Sequence, residues 1–64
     1  MDDLLQLMHD TMNALVRIRS CVYMVRKSDV TEEDKEKYCQ IIEESEEEVR
    51  NKLDEYYKKV RDGV

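Results

Sequence analysis

The most chemically reactive residues in this chain are one histidine, His9, and two cysteines, Cys21 and Cys39. A zinc site needs four ligands, and its cysteine ligands usually come in closely spaced pairs, which this sequence lacks. No serine or cysteine is placed in a recognisable motif for His9 to activate as a nucleophile. The sequence therefore predicts no catalytic, cofactor-binding or metal-binding residue, and we expect the protein not to be an enzyme.

The two cysteines admit two interpretations. If the chain folds as an antiparallel helical hairpin, Cys21 and Cys39 face each other near its loop, where a disulfide could stabilise the fold by about 3 kcal/mol. The favoured interpretation is two small buried thiols in a reducing cell. The acidic first residues do not resemble a signal peptide, and no apolar run has the length of a membrane span. The sequence therefore predicts a cytoplasmic protein with reduced cysteines.

Acidic side chains crowd a short stretch in the C-terminal half. Residues 1–30 carry as many acids as bases, so the whole net charge of −5 belongs to residues 31–64. Paired carboxylates act as acid and base only in a cleft that shifts their pKa values, and two helices offer no such cleft. The stretch is either a solvated helix face or a docking face for a basic protein surface. The residues of this predicted acidic face are Glu43, Glu44, Glu47 and Glu48.

A basic cluster in the first half is the candidate for contacting nucleic acid. On a helical wheel its members point in different directions, so they form no row that could follow phosphates. The net charge of −5 also argues against non-specific binding to nucleic acid or to anionic membranes. We therefore expect neither as a partner. RNA contacts are kept as an alternative role for Arg17, Arg19, Arg26 and Lys27.

The chain is organised around a first helix, predicted over residues 2–27. At about 100° per residue, one apolar face runs from Leu4 to Val25 through Ala14 and Ile18. Together with a neighbouring apolar strip it covers roughly 220° of the helix, whereas contact with one other helix needs about 100°. The surplus predicts a partner-binding surface, because monomers rarely leave so large a patch in water. The neighbouring strip comprises Met1, Leu5, Met12, Val16 and Tyr23, with Arg19 among them.

A second helix is predicted over residues 32–62, after a loop at residues 28–31. Thr31 is the expected N-cap, and Asp34 completes a capping box in which Asp replaces the usual Glu or Gln. The apolar stripe of this helix is narrow. Ion pairs four residues apart, each worth a few tenths of a kcal/mol, should support it. They are Glu46–Arg50, Glu48–Lys52, Asp54–Lys58 and Glu55–Lys59.

The predicted fold class is all-α: a single domain, residues 1–64, that forms an antiparallel two-helix hairpin. A loop centred between Asp29 and Val30 places Ala14 opposite Ser45, so that the helices can approach closely. A chain of 64 residues is marginal alone. We therefore expect two copies to pair into a four-helix bundle. The predicted dimer interface comprises Leu5, Met8, Met12, Leu15, Val16, Tyr23 and Tyr57.

The stretch from Thr31 to Ile42, continued by Val49 and Leu53, is similar to the start of the second helix in the Rop (repressor of primer) family. The similarity lies in the acidic residues at the start of the helix, in the apolar residue next to Cys39, and in the spacing of the later apolar positions. It covers about half the chain. The resemblance implies a helical hairpin that dimerises into an antiparallel four-helix bundle and binds paired RNA loops. The first helix departs from the family pattern, whose RNA-contacting face carries an exposed Phe, since this chain has no Phe.

These patterns predict a small, non-enzymatic interaction or regulatory module. We expect it to act as a homodimeric helical bundle that binds itself and a further protein, without a cofactor. Its small size is typical of accessory factors of phages, plasmids or bacteria. Two alternatives remain open at this point: a Rop-like RNA-binding regulator, and an acidic inhibitor that docks on a basic nucleic-acid-binding protein.

Overall fold

Two long α-helices packed against each other make up the computed structural model, which describes residues 2–63. Helix α1 spans Asp2–Arg26 and helix α2 spans Glu32–Asp62, with 25 and 31 residues respectively. Side-chain contacts join the start of α1 to the end of α2, so the helices run antiparallel. The result is a rod 51 Å long and 16 by 11 Å across. The all-helical hairpin predicted from the sequence is confirmed.

The turn between the helices is set by polar capping. Thr31 has an extended backbone, and its side-chain oxygen accepts a hydrogen bond of 3.1 Å from the backbone N–H of Asp34. This satisfies one of the N–H groups left free at a helix start and forms half of the predicted capping box. The reciprocal bond, from the Thr31 N–H to the Asp34 side chain, is not among the hydrogen bonds of the described residues. Helix α1 ends at Arg26, one residue earlier than predicted, and the N–H of Lys27 bonds to the carbonyl of Met24 at 3.2 Å.

The contact between the helices is made by small residues. Ala14 is 0% exposed and Ser45 is 1% exposed, and Cys21 is the third buried residue of the described chain. Small side chains let two helix backbones approach closely, but they remove little apolar surface from water. No large apolar side chain of residues 3–63 is fully buried. The hairpin therefore holds its helices together while leaving most of its apolar surface exposed.

The close approach at Ala14 can be tested by overpacking it. Ala14→Leu adds volume where the structure has none to spare, so we expect a loss of about 1–3 kcal/mol in the free energy of unfolding. Ser20→Leu adds similar volume at an exposed position of the same helix and should change stability by no more than about 0.5 kcal/mol. Urea unfolding at one fixed chain concentration measures both. Equal stability of the two variants would contradict the close contact.

Candidate interaction surface

Along one flank of the hairpin, ion pairs connect the two helices. The α1 members follow one another at intervals of seven residues, which places them on one line of the helix. Each reaches a partner of opposite charge on α2. We call this row the ion-pair ladder: it consists of Asp3–Lys59 at 2.6 Å, Asp10–Lys52 at 2.9 Å and Arg17–Glu48 at 3.3 Å.

The ladder shifts the ionisation of its own members. The hydrogen bond from Lys52 is the largest cause that holds the pKa of Asp10 below its ordinary value of 3.8, and a hydrogen bond from Gln6 adds to it. Lys59 lowers the pKa of Asp3 in the same way. Conversely, these carboxylates raise the pKa values of Lys52 and Lys59. All four groups therefore keep their charges in the folded chain across the neutral range.

The structure forms three of the four ion pairs predicted along α2: Glu46–Arg50 at 2.9 Å, Glu48–Lys52 at 3.3 Å and Asp54–Lys58 at 3.1 Å. The fourth differs, because Lys59 reaches across to Asp3 rather than to Glu55. Sequence reasoning missed the role of Asp3 and Asp10. Their spacing of seven residues, continued by Arg17, was the signal that could have revealed it.

The opposite flank is an open apolar groove between the helices. At about 100° per residue, Leu15 and Arg17 lie on opposite sides of the buried Ala14, so this groove and the ladder are on different flanks. Leu15 is 54% exposed and Leu53 is 47% exposed. The residues that line this apolar groove are Leu15, Ile18, Glu46, Val49, Arg50 and Leu53.

A second exposed apolar surface lies on the far side of α1. Its residues are roughly 140° to 180° around the helix from the buried Ala14 and Cys21, at about 100° per residue. They therefore point away from α2, and their exposures fall between 62% and 64%. We call this surface the outer stripe: it consists of Leu5, Met12, Val16 and Tyr23.

The residues predicted as one dimer interface thus point in two directions. Leu15 lines the apolar groove, and Met8 lies two turns before it on the same line of α1. Tyr57 is exposed on α2, one turn after Leu53, with its ring 5.8 Å from the Arg61 guanidinium. The other four predicted interface residues are those of the outer stripe. The two groups adjoin at Met8 and Met12, which are about 40° apart around α1, while Leu15 and Val16 differ by about 100°.

The predicted acidic face is divided as well. Glu43, Glu44 and Glu47 are exposed and form no ion pair with any residue of 3–63. Glu48 differs: it is half-buried and holds both Arg17 and Lys52 within the ladder. Its charge is therefore used inside the hairpin, while the other three carboxylates face outward.

The four basic residues considered for RNA contact have three different surroundings. Arg17 belongs to the ladder. Lys27 lies over the ring of Tyr23, with its ammonium nitrogen 5.1 Å from the ring centre. Arg19 and Arg26 are exposed, and neither forms an ion pair with any described side chain. The four do not form a common row.

The remaining reactive side chains are two cysteines and one histidine. Cys21 is buried and Cys39 half-buried, and both are free thiols. His9 is exposed beside Asp10 and Asn13, at 3.5 and 3.4 Å. In the described part of the chain, no three His, Cys, Asp or Glu side chains cluster closely enough to bind a metal ion. Neither described helix combines the length and apolar character needed to cross a membrane.

The described residues define a helical hairpin with one ion-paired flank and two exposed apolar surfaces. Comparison with family models, with curated proteins and with solved structures finds no match for this chain. The chemistry of its own surfaces is therefore the basis for assigning a function.

The ladder can be tested by removing Lys52. Lys52→Met should raise the pKa of Asp10 toward 3.8, because the hydrogen bond from Lys52 is the largest cause of its depression. A carboxylate with a depressed pKa stabilises the fold above its ordinary pKa and loses that effect as the pH falls through its folded value. The stability difference between the two proteins should therefore be present at neutral pH, begin to shrink as the pH approaches 3.8, and be lost as the pH falls through the lower folded pKa of Asp10.

Carboxyl chemical shifts followed by NMR titration, together with urea unfolding at each pH, provide the measurements. Lys58→Met is the matched control, because it removes a lysine that pairs with Asp54 within α2. It should leave the pKa of Asp10 unchanged. An unchanged Asp10 pKa in Lys52→Met would contradict the cross-helix pair.

Proposed function

We propose that this chain is a non-enzymatic protein–protein interaction module that acts as a homodimeric helical bundle. The single observation that carries the proposal is the open apolar groove, in which Leu15 remains 54% exposed beside Val49 and Leu53. Fully burying a Leu or Val side chain contributes about 1.5–3 kcal/mol. A hairpin whose buried residues are Ala, Ser and Cys has a strong need for that contribution.

A second copy is the simplest partner for the groove. It brings the same apolar side chains, and two hairpins stacked on this flank form a four-helix bundle. Glu46 and Arg50, the charged residues of the groove, already pair with each other at 2.9 Å. Packing a copy over them would therefore leave no unpaired charge, which is the main penalty in burying ionic groups. The ladder, on the other flank, stays in water.

A homodimer presents every remaining surface twice. Two identical docking surfaces on one rigid rod raise the effective concentration of a partner that has two binding sites. This property suits a regulatory or accessory protein. We extend the proposal to a small accessory factor of a phage, plasmid or bacterium, on the ground that the chain combines minimal size with surfaces for binding alone.

The acidic outer side of α2 supports a second candidate function. Glu43, Glu44 and Glu47 point outward without ion pairs to described residues, so they could dock on a basic nucleic-acid-binding protein. An RNA-binding role, which the similarity to the Rop family suggests, has weaker support. Arg17 is held by Glu48, and Lys27 lies over Tyr23, so few bases are available to phosphates.

Self-assembly through the groove can be tested with two matched substitutions in α1. Sedimentation equilibrium at micromolar concentration should give twice the 7.7 kDa mass of one chain. Leu15→Glu places a charge in the groove and should reduce the mass to that of one chain, with loss of helical circular dichroism. Leu5→Glu makes the same change on the outer stripe and should leave the dimer intact. A folded species of 7.7 kDa for the unaltered chain would contradict the proposal.

The second candidate function, docking on a basic protein, predicts that partner binding is sensitive to the charge of the acidic face. Changing Glu43, Glu44 and Glu47 together to Lys should abolish the complex with a basic protein partner, because it reverses the charge of the docking face. The dimer mass and the circular dichroism should stay unchanged, since these side chains make no contact within the hairpin that the fold needs. Complex formation that survives the triple change would exclude docking through this face.

A further inference from the structure

The proposed dimer leaves the outer stripe uncovered. In a four-helix bundle each helix buries the arc between its two neighbours, which for α1 are α2 and the second copy on the groove flank. The outer stripe lies about 140° to 180° around α1 from the buried Ala14 and Cys21. It therefore stays in water after the groove is filled, with four large side chains each more than 60% exposed.

The spacing of the outer stripe is that of a helix-binding seam. Leu5, Met12, Val16 and Tyr23 follow one another at seven, four and seven residues, the heptad spacing by which one helix packs along another. Met is an adaptable contact residue, and Tyr is enriched where protein surfaces meet. A single row of this kind fits one amphipathic helix better than a broad or flat partner.

The charges beside the stripe specify the partner further. Arg19 lies between Val16 and Tyr23 along the helix, and Arg26 lies one turn beyond Tyr23. Both are exposed without an ion pair to a described residue, and the Lys27 ammonium group sits over the Tyr23 ring. Asp3 and Asp10 of α1 are on the ladder flank, held by lysines of α2. This side of α1 is therefore locally basic, although the whole chain carries −5.

From this combination we propose that the outer stripe is a second docking surface, and that it binds an acidic amphipathic helix of another protein. Apolar side chains of that helix would pack along the stripe. Its Asp or Glu residues would pair with Arg19 and Arg26, which places the acidic half of the partner next to the hairpin loop. The inference uses the proposed dimer only to show that the stripe remains free.

A further copy of this chain fits the stripe poorly. Antiparallel packing of two stripes, with Leu5 opposite Tyr23 of the copy, would place Arg26 against Asp2 of the copy but Arg19 against His9, so only one of the two arginines would meet an acid. Parallel packing would place Arg19 against itself. The outward side of α2 carries acids, but it has no apolar row to cover the stripe. The charges therefore favour a different protein.

A nucleic acid or an anionic membrane fits the stripe less well than a protein helix. Both require positive charge spread along the contact, whereas the bases here are confined to the C-terminal half of α1. The outward carboxylates of α2 belong to the same narrow rod, 16 by 11 Å across, and would repel an extended anionic surface.

Two synthetic helical peptides of about 20 residues test the proposal. Both carry a Leu row with heptad spacing, one flanked by Glu and the other by Lys, and each is labelled for fluorescence anisotropy with the full chain. We expect the Glu peptide to bind about tenfold or more tightly than the Lys peptide. Met12→Ser combined with Val16→Ser should weaken that binding by about tenfold or more.

Asn13→Ala combined with Ser20→Ala is the matched control. It changes two exposed polar residues of α1 outside the stripe and should leave the affinity unaltered. Arg19→Glu combined with Arg26→Glu should reverse the preference, so that the Lys peptide binds the more tightly. The chain mass is measured for every variant, because Met12→Ser with Val16→Ser should keep the assembly of the unaltered protein.

Three results would overturn the inference. The first is equal or absent binding of the two peptides. The second is a reduced chain mass in Met12→Ser/Val16→Ser, which would assign the stripe to self-assembly. The third is binding of a hairpin RNA or of phosphatidylserine vesicles that the same variants abolish, without binding of the Glu peptide. A monomeric chain that still shows the peptide preference would refute the homodimer and leave the outer stripe inference standing.

Discussion

The close contact of Ala14 with the facing helix is the constraint on which the rest of this molecule depends. Because Ala14 and Ser45 are small and buried, the two helices can lie close together without large side chains between them. These small residues leave a thin interior, in which the buried hydroxyl of Ser45 has no hydrogen-bond partner among the described residues. A hairpin built this way gains little from its own core, so its apolar side chains are available to other molecules.

The ion-pair ladder decides where those apolar side chains can lie. Lys52 and Lys59 extend across the interface, and their carboxylate partners occupy one whole flank of α1. Exposed ion pairs contribute little stability on their own. Their larger effect here is positional, since the apolar side chains on that flank, Leu7 and Tyr56, lie among charged partners. The groove flank and the outer stripe are therefore the surfaces that we propose for association.

The sequence predicted the parts of the fold that follow from local chemistry. The helical periodicity of α1, the Thr31 cap and the small residues Ala14 and Ser45 were sufficient to obtain an antiparallel hairpin. The sequence of α2 alone could not predict that Lys59 pairs with Asp3 instead of Glu55, because a helical wheel treats each helix in isolation. The excess apolar arc of α1 was predicted too. Its division into two surfaces depends on the direction of α2, which only the packed structure supplies.

The division of the exposed apolar surface into the groove and the outer stripe affects how partners would bind. If one surface served both self-assembly and partner binding, each bound partner would have to displace the second copy of the chain from that surface. The groove and the outer stripe instead lie on different sides of α1, with Leu15 on one and Val16 on the other. In the dimer that we propose, filling the groove would leave the stripe residues in water, so dimerisation would double the number of stripes without covering them. A partner with two acidic helices then gains from the dimer by proximity alone, without any conformational change in the hairpin.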